Sequence, residues 1–526
     1  METPLTPLEF GRRARRLYPD REAVVDGERR LTYRQFFERC DRWSSALQRL
    51  GVRPGDCVAC IAPNTQAHLE SFYAVPQIGA VVVPINYRLT ADDFAYIINH
   101  SKARVVCADP AHLDTVDRIR DQVPMIEHLV AFDGARPGWL EYENELTTSS
   151  PVFDRPVIRE SDLLSINYTS GTTARPKGVM LTHRNVYLNS LGTLAHLQLT
   201  CADRYLWTLP MFHVNGWSFV WTVTAVGGTH VCLRKPDPKA IFELLRREAV
   251  TLLCAAPTVL ISIANAPEAL RQSAPRNVRV LTAGAPPAAA TIEQVEGELG
   301  WTITQVYGLT ETSPFMTICE PRPEHTQLST RAAAEIKARQ GVEFLTAGEA
   351  RVVDAEGNEV PHDGATVGEI VVRGNCVMTG YYNDPESTAE AMRGGWFHSG
   401  DAAVVHPDGY FEIRDRIKDV IISGGENISS IEVEGTLVRH PAVQEVAVVG
   451  LPHEKWGETP HAFVVLRRGT SATEAELREF ARDHLAHFKV PQGFTFLAEL
   501  PKTATGKLQK YVLRGGHANL GGQRPA

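Results

Sequence analysis

The spacing of apolar residues divides the chain into regions of different character. In roughly the first 150 residues, short apolar runs such as Ala23–Val25, Val58–Ile61 and Arg104–Ala108 predict buried strands. The clearest helix is predicted over Leu31–Leu50, where apolar residues recur at helical spacing until Gly51. Alternating strands and helices are typical of sheets that are covered by helices, so this region is predicted to be α/β.

The pattern changes further along the chain. From about residue 160 to residue 350 the alternation continues, broken by loops rich in glycine, threonine and proline. Beyond it, short strands such as Ala350–Val353 and Glu369–Val372 are joined by hairpin-like turns, which predicts a β-rich subdomain. After Arg416 helices and strands return, and the remaining stretch is long enough for a small domain. The tail Gly515–Ala526 is predicted to be disordered.

Composition and charge exclude several classes of protein. The 526 residues are 43% hydrophobic and 22% charged, as in ordinary globular proteins, and the net charge is −8. This balance argues against a general role in binding nucleic acid. No apolar stretch has the length of a membrane span and no signal peptide is evident, so integral membrane association is not predicted. The dilute, odd number of cysteines favours a reducing cytoplasm, and Cys57 and Cys60 are predicted to be buried.

A loop rich in glycine and hydroxyl residues provides the first chemical motif. Residues 168–185 read YTSGTTARPKGVMLTHRN, and Thr182–Asn185 is predicted to begin a helix. Backbone N–H groups and hydroxyls in such a loop can point at one anion, while Lys177 adds positive charge, as a polyphosphate requires. The spacing is not that of the common P-loop, and a polar surface loop is the alternative interpretation.

A second motif, YGLTET at residues 307–312, follows the predicted strand Ile303–Val306. The carboxylate of Glu311 suits Mg²⁺, which prefers oxygen ligands, and Thr310 can donate to a phosphate. Tyr307 offers a flat face to a purine. Just upstream, residues 282–286 read TAGAP, and such small residues let a flat ring approach the backbone closely. Each string alone is also compatible with an ordinary strand-end turn.

Together with later strings, these motifs resemble those of the AMP-forming acyl-CoA synthetases, within the adenylate-forming superfamily, in the family order and over nearly the whole chain. The later strings are WFHSGD at 396–401, YFEIRDRIKD at 410–419, ISGGEN at 422–427 and PKTATGK at 501–507. The resemblance implies an α/β fold with a large N-terminal AMP-binding domain of two αβ-layered sheets and a distorted β-barrel subdomain. It places that domain at residues 1–415, a hinge at 416–418, and a small, mobile α+β lid domain at 419–526.

The resemblance also implies roles for the matching residues. Those expected to bind phosphates and Mg²⁺ are Thr169, Ser170, Gly171, Thr172, Thr173, Lys177, Thr310 and Glu311. Those expected around the adenine and ribose are Gly284, Ala285, Pro286, Tyr307, Gly308, Asp401, Ile413 and Arg416. One departure is Ala174, where the family usually has glycine; an alanine is strained there if the position needs a positive φ.

The C-terminal motifs match the moving parts of the family. Lys418 occupies the hinge position, and Gly424 and Gly425 match the segment that lines the tunnel for the pantetheine arm of coenzyme A. Lys507 matches the catalytic lysine. Its ammonium would bridge the carboxylate oxygen and the α-phosphate, where charge develops in the transition state.

The acid pocket is predicted around residues 210–217, which read PMFHVNGW. His213 and Trp217 are expected to flank the carboxylate and to gate the pocket; core aromatics in a helix cap are the alternative. The string MFHVNGWSF, together with LPKTATGKLQK, is most similar to the branch that acts on short- and medium-chain or aryl acids. The resemblance implies a pocket lined by His213, Trp217, Ala256, Ala283, Gly308 and Phe315.

The implied function is an acid–thiol ligase that works in two half-reactions. A carboxylic acid is adenylated with Mg·ATP, releasing pyrophosphate, and coenzyme A then displaces AMP after the small domain turns. A second hypothesis keeps the adenylation but gives the acyl group to a carrier protein, an amine or another nucleophile. A third is a binder of nucleotide or acyl groups that has lost catalysis. The sequence leaves a homodimer open.

Overall fold

The computed structural model describes residues 2–169, 175–285, 287–423, 426–453, 455–502 and 508–520. The strands are β1 Glu22–Asp26, β2 Arg29–Thr32, β3 Cys57–Ile61, β4 Val81–Ile85, β5 Val105–Ala108, β6 His128–Ala131, β7 Leu140–Glu141, β8 Leu163–Thr169, β9 Lys177–Thr182, β10 Arg204–Leu206, β11 Thr229–Val231, β12 Leu252–Ala255, β13 Arg279–Thr282, β14 Thr302–Gly308, β15 Phe315–Ile318, β16 Val342–Glu343, β17 Glu349–Val353, β18 Gly368–Arg373, β19 Gly380–Tyr381, β20 Phe397–Val405, β21 Phe411–Arg416, β22 Ile421–Ser423, β23 Glu426–Ile428, β24 Val443–His453, β25 Gly457–Leu466 and β26 Gly493–Phe496.

The helices are α1 Leu8–Leu17, α2 Tyr33–Arg49, α3 Gln66–Ala74, α4 Ala91–Ser101, α5 Leu113–Arg118, α6 Tyr142–Thr148, α7 His183–Leu197, α8 Val214–Trp217, α9 Phe219–Val226, α10 Pro238–Arg247, α11 Pro257–Ala264, α12 Glu268–Gln272, α13 Ala289–Leu299, α14 Thr330–Lys337, α15 Pro385–Ala391, α16 Ser430–Leu437, α17 Glu474–His484 and α18 Lys510–Leu520. Among the helices of the described residues, none combines the length and the apolar character needed to span a membrane.

Two large sheets, each covered by helices, form the body of the protein. The first has the strand order β16-β15-β14-β13-β12-β10-β11-β1-β2, and its six central strands are parallel. The second has the order β19-β9-β8-β4-β3-β5-β6-β7. One large apolar core joins the facing sides of both sheets, while a separate core lies on the outer side of each. The predicted αβ-layered body is therefore confirmed.

Local sequence explains the boundaries of the helices that pack into the central core. The predicted helix over Leu31–Leu50 is α2, and it begins later because Thr32 forms a capping box with Gln35. The predicted start at Thr182–Asn185 is also confirmed, since Thr182 caps α7 in the same way. The prediction that Cys57 and Cys60 are buried is confirmed. They lie in two different cores on opposite faces of β3, because residues three apart in a strand point to opposite sides.

The remaining strands form two smaller sheets. The predicted β-rich subdomain contains an antiparallel sheet of order β17-β18-β20-β21, joined to the first large sheet by a bridge between Gly341 and Phe411. After β21, a 3-10 turn at Ile417–Asp419 leads to a sheet formed by β22 to β26, with a core on each face. The prediction of disorder from Gly515 is wrong up to Leu520. Residues 515–520 continue α18. The first turns of this helix are anchored by buried Leu513 and by the ion pairs of Lys510 with Glu434 and of Arg514 with Asp419.

Candidate active site

The glycine- and threonine-rich motif connects two antiparallel strands. β8 ends at Thr169 and β9 begins at Lys177, and these two residues are paired across the strands. The two strands therefore form a hairpin, and the motif connects them. Five residues of the motif lie outside the described residues: Ser170, Gly171, Thr172, Thr173 and Ala174.

The side chain of Lys177 reaches the start of a helix. Its Nζ donates to Ser387 Oγ at 2.7 Å and lies 5.0 Å from the centroid of the Tyr381 ring. Ser387 belongs to the first turn of α15, which is capped by the carboxylate of Asp384. The end of the hairpin is thus held against the segment that follows β19.

The carboxylate of Glu311 is nearly buried, with 9% of the residue exposed, in a 3-10 turn after β14. Its Oε1 accepts a hydrogen bond of 2.9 Å from the Tyr381 hydroxyl. Burial, followed by the nearby carboxylate, raises the pKa of Tyr381, so the phenol stays protonated and donates. No hydrogen bond to Oε2 is found among the described residues. One carboxylate oxygen that is held in place and one that can still bind fit the oxygen chemistry of Mg²⁺.

The carboxylate of Asp401 is held from two sides. The Tyr307 hydroxyl donates to Oδ2 at 2.6 Å, and Arg416 Nε lies 2.7 Å from Oδ1. Asp401 and Arg416 face each other across β20 and β21, which explains their pairing. Burial, the largest single cause, would lower the pKa of Arg416, but the negative charge of Asp401 acts together with Tyr307, Glu311 and Asp419, and the pKa is raised. Burial, and then Asp401, raises the pKa of Tyr307.

Small residues follow the carboxyl ends of adjacent parallel strands. Ala256 and Ala283 come directly after β12 and β13, whose last residues are paired, and Gly308 ends the neighbouring β14. A Cβ at Gly308 would lie 1.8 Å from the carbonyl oxygen of Pro314, so only glycine fits there. Gly284 has φ of +92° and is exposed, as is Ala285, whereas Pro286 lies outside the described residues. Ligands bind at this edge of open α/β sheets.

The segment that contains His213 and Trp217 has an unusual backbone. From Val214 to Ser218 φ is positive at every residue, with values of 39°, 45°, 58°, 53° and 67°, so α8 is a single left-handed turn. Such a conformation is unfavourable for residues with a Cβ, and above all for β-branched Val214. A backbone of this kind persists only where its surroundings hold it in place.

Polar side chains and packing hold the left-handed turn. Asn215 donates to Ser165 Oγ at 2.7 Å, and Ser218 Oγ donates to the carbonyl oxygen of Ser313 at 3.0 Å. A Cβ at Gly216 would lie 2.3 Å from the ring of Trp207. The turn is therefore fixed against both large sheets.

The turn brings the two predicted aromatic residues of the acid pocket together. The rings of Trp217 and Phe315 are 5.9 Å apart at their centroids and nearly perpendicular, at 73°. Both residues are buried, and His213 is half-buried at the start of the turn. The two rings are therefore in direct contact, and their role in an acid pocket stays a prediction.

The predicted residues near the hinge are only partly described. Ile413 is buried in the central core, and its N–H donates to Gln340 Oε1 at 2.5 Å. The backbone of Lys418 lies in the 3-10 turn after β21. Gly424, Gly425 and Lys507 lie outside the described residues. Three residues beyond Lys507, the half-buried Lys510 forms an ion pair with Glu434 at 2.8 Å.

Sequence reasoning missed several side chains that contact the predicted site residues and hold them in position. Tyr381 and Ser387 contact Glu311 and Lys177, and Asn64 fixes the chain before His213 by donating to Leu209 O at 3.0 Å and accepting from Met211 N at 2.8 Å. The string GYYNDPEST at residues 380–388 contains a signal for the first two, because an Asp-Pro pair typically starts a helix. Nothing in the sequence around Asn64 distinguishes it from a loop residue.

The fold combines two layered sheets, a smaller β-rich sheet and a C-terminal α+β unit. Its site brings together Lys177, Glu311 and Asp401, which are contacted by Tyr381 and Tyr307. This combination defines an adenylate-forming ligase. Comparison with known proteins agrees. The model of the AMP-binding enzyme family matches residues 11–382, and that of the AMP-binding enzyme C-terminal domain matches residues 432–507.

Individual relatives extend over nearly the whole chain. A 4-hydroxybutyrate–CoA ligase of Metallosphaera sedula is 45% identical, with 97% of this chain and 94% of that protein covered. A peroxisomal acetate/butyrate–CoA ligase of Arabidopsis thaliana is 41% identical over the same shares. The solved structure of an anthranilate CoA ligase with anthranoyl-AMP has a TM-score of 0.89 and 27% identity, covering 98% of this chain and 99% of that chain.

The chain therefore belongs to the AMP-binding enzyme family, as an AMP-forming acyl-CoA synthetase that uses ATP, Mg²⁺ and coenzyme A.

Proposed function

We propose that the residues described above form the adenylation site and that the acid is small or flat. The observation that carries this proposal is one series of contacts: Arg416 to Asp401, Asp401 to Tyr307, Glu311 to Tyr381, and Tyr381 to Lys177. Tyr307 and Glu311 are close in sequence, at the end of β14 and in the turn after it. The contacts thus connect Asp401, whose carboxylate suits ribose hydroxyls, with Glu311 and Lys177, whose charges suit a metal-bound polyphosphate.

In this proposal each side chain has a limited task. Asp401 accepts from the two ribose hydroxyls, and the small residues Gly284, Ala285 and Gly308 leave space for the adenine. Lys177 and the hydroxyls of the hairpin loop bind the β- and γ-phosphates, where Mg²⁺, when bound at Glu311, supplies positive charge. Holding the reactants in line accounts for much of the rate acceleration that such a site gives.

The chemistry itself needs two displacements. A carboxylate oxygen of the acid attacks the α-phosphorus, and the bond to the bridging oxygen of pyrophosphate breaks. The thiolate of coenzyme A then attacks the acyl carbon, and AMP leaves with the oxygen that came from the acid. We assign Lys507 to the first step, where its ammonium offsets charge on the α-phosphate. Residues 1–415 would bind the substrates, and residues 419–526 would turn about Lys418 between the steps.

The buried contact between the rings of Trp217 and Phe315 supports a short or flat acid, because two bulky aromatic side chains take up space in the predicted pocket. The relatives named for 4-hydroxybutyrate, acetate or butyrate, and anthranilate suggest the acids to be tried first. Acceptors other than coenzyme A are not favoured, since these relatives are named CoA ligases. We keep the cytoplasm as the proposed compartment, and a homodimer as a prediction for light scattering.

The test is a screen for pyrophosphate release across acids of increasing length and across benzoates, followed by mass detection of the thioester with and without coenzyme A. An active acid should give acyl-AMP alone and acyl-CoA when coenzyme A is added. The variant Lys507→Ala should lose acyl-AMP formation far more than the reaction of pre-formed acyl-AMP with coenzyme A. Release from no acid would refute the function, and an equal loss of both steps would refute the role of Lys507.

A further inference from the structure

Tyr381 contacts two site side chains of opposite charge. Its hydroxyl donates to Glu311 Oε1 at 2.9 Å, and the Nζ of Lys177 lies over its ring, 5.0 Å from the centroid. The backbone of Tyr381 is fixed as well: it pairs with Val179 in the hairpin, and its N–H donates to Thr388 Oγ1 at 2.9 Å. The side chain therefore projects from a fixed point towards both groups.

Among the described residues, the side chains in direct contact with these two charged groups are neutral, while Asp384 and Arg416 act on Lys177 and Glu311 electrostatically without forming an ion pair. Lys177 donates to the hydroxyl of Ser387 and lies over an aromatic ring, an arrangement that stabilises a cation without neutralising it. Glu311 accepts from a phenol. A lysine and a glutamate that paired directly here would each have to give up a charge-assisted bond before a metal and a phosphate could bind. With neutral partners, both charges stay available.

The hydroxyl also determines how Glu311 presents its oxygens. A donor on Oε1 limits rotation of the carboxylate and leaves Oε2 as the oxygen that can bind a cation. The position of the 3-10 turn is fixed separately, because the carbonyl oxygen of Glu311 accepts from Met378 N at 2.7 Å. Loss of the hydroxyl should therefore free the carboxylate without moving the turn.

We propose that Tyr381 is a positioning residue of the metal–nucleotide site, which presents Glu311 to Mg²⁺ as a one-oxygen ligand and keeps Lys177 from pairing with it. This inference rests on the nucleotide site proposed above.

The test compares Tyr381→Phe, Tyr381→Leu and a control, Tyr382→Phe. Phenylalanine at 381 keeps the ring under Lys177 and removes only the hydroxyl, whereas leucine removes both contacts. The control changes the adjacent tyrosine, whose ring lies 5.8 Å from that of His100 and whose N–H donates to Gly178 O. Binding of ATP is measured by calorimetry, without any acid, over a range of Mg²⁺ concentrations and in EDTA. The Mg²⁺ dependence of pyrophosphate release is measured in parallel.

We expect Tyr381→Phe to raise the half-saturating Mg²⁺ concentration in both assays by about tenfold, the effect of losing one hydrogen bond to a charged group. Its ATP affinity in EDTA should match that of the unchanged protein. Tyr381→Leu should in addition weaken ATP in EDTA, because Lys177 is then released. A merely structural role of Tyr381 would lower the melting temperature without moving the Mg²⁺ midpoint.

A Mg²⁺ midpoint in Tyr381→Phe equal to that of the unchanged protein would overturn the inference, as would an equal shift in Tyr382→Phe. The proposed function fails differently: the unchanged protein would then bind Mg·ATP yet form no acyl-AMP with any acid. In that case the calorimetric comparison still decides the role of Tyr381.

Discussion

Replacing Asp401 by asparagine tests whether this carboxylate binds the ribose. The residue is 4% exposed and is held by Tyr307 at 2.6 Å and Arg416 at 2.7 Å, so the substitution keeps shape and removes charge. Each hydrogen bond to a charged group contributes about 1.5–3 kcal/mol. Two ribose hydroxyls on Asp401 thus correspond to about 3 kcal/mol at the lower limit, or roughly a hundredfold in affinity. Since asparagine can still accept with one oxygen, we expect ATP binding to weaken between about ten- and a hundredfold.

The assay is a cycle between protein and ligand. Dissociation constants are measured for ATP and for 2′,3′-dideoxy-ATP, each with the unchanged protein and with Asp401→Asn. Any disturbance of Arg416 affects both nucleotides and cancels in the cycle. If the carboxylate binds the hydroxyls, the variant should lose most of its preference for ATP and bind dideoxy-ATP almost as the unchanged protein does. Asp408→Asn, on the exposed turn before β21, is the control.

An equal loss of affinity for both nucleotides would refute the reasoning. Asp401 would then serve only to hold Tyr307 and Arg416.

Three further predictions concern the acid pocket, the left-handed turn and the dependence of stability on pH. Trp217→Gly should raise the ratio of kcat/KM for hexanoate over butyrate at least tenfold, because it removes a buried wall; Trp221→Phe on α9 should leave the ratio unchanged. Gly216→Ala should lower the free energy of unfolding by about 2–4 kcal/mol in a denaturant titration, since its Cβ meets the Trp207 ring, whereas Gly297→Ala, with open space at its Cβ, should not. Burial lowers the pKa of His68 and His183 to about 4 and that of His230 to about 3. Below about pH 6.5, the ordinary pKa of histidine, these side chains therefore bind more protons in the unfolded chain than in the folded protein. The free energy of unfolding should consequently fall as the pH drops from about 6.5 towards 4. In His68→Leu that slope should decrease by about 1.4 kcal/mol per pH unit, and an unchanged slope would contradict the assignment.

Much of the fold follows from local patterns. Continuous apolar runs such as Val58–Ile61 formed strands because both faces of such a strand are buried. Thr182 begins a helix because its side chain and that of Asn185 satisfy free backbone groups. The motif residues Tyr307 and Asp401 were predicted from the sequence, but their contact joins positions 94 residues apart. Spacing along the chain carries no information about such a distance.

Other features depend on surroundings that no single segment contains. The left-handed turn includes Val214, which by itself prefers extended or right-handed backbone, and the turn persists because Ser165, Ser313 and Trp207 hold it from other elements. Tyr381 was missed because its role arises from Glu311 and Lys177 together. The helix beyond Gly515 was missed because its first turns are anchored by ion pairs of Lys510 and Arg514 with residues far away in the sequence.

The left-handed turn also guides how this protein can be redesigned for other acids. Positions 214–218 accept few substitutions, because most side chains strain a backbone of positive φ and each neighbour is already in contact. A mutant library that randomises this segment would therefore consist mainly of destabilised proteins. Ala256 and Ala283 have no such constraint, since they follow strands that already end in ordinary extended backbone. Variation is therefore best concentrated at these two alanines and, at position 217, restricted to glycine or asparagine.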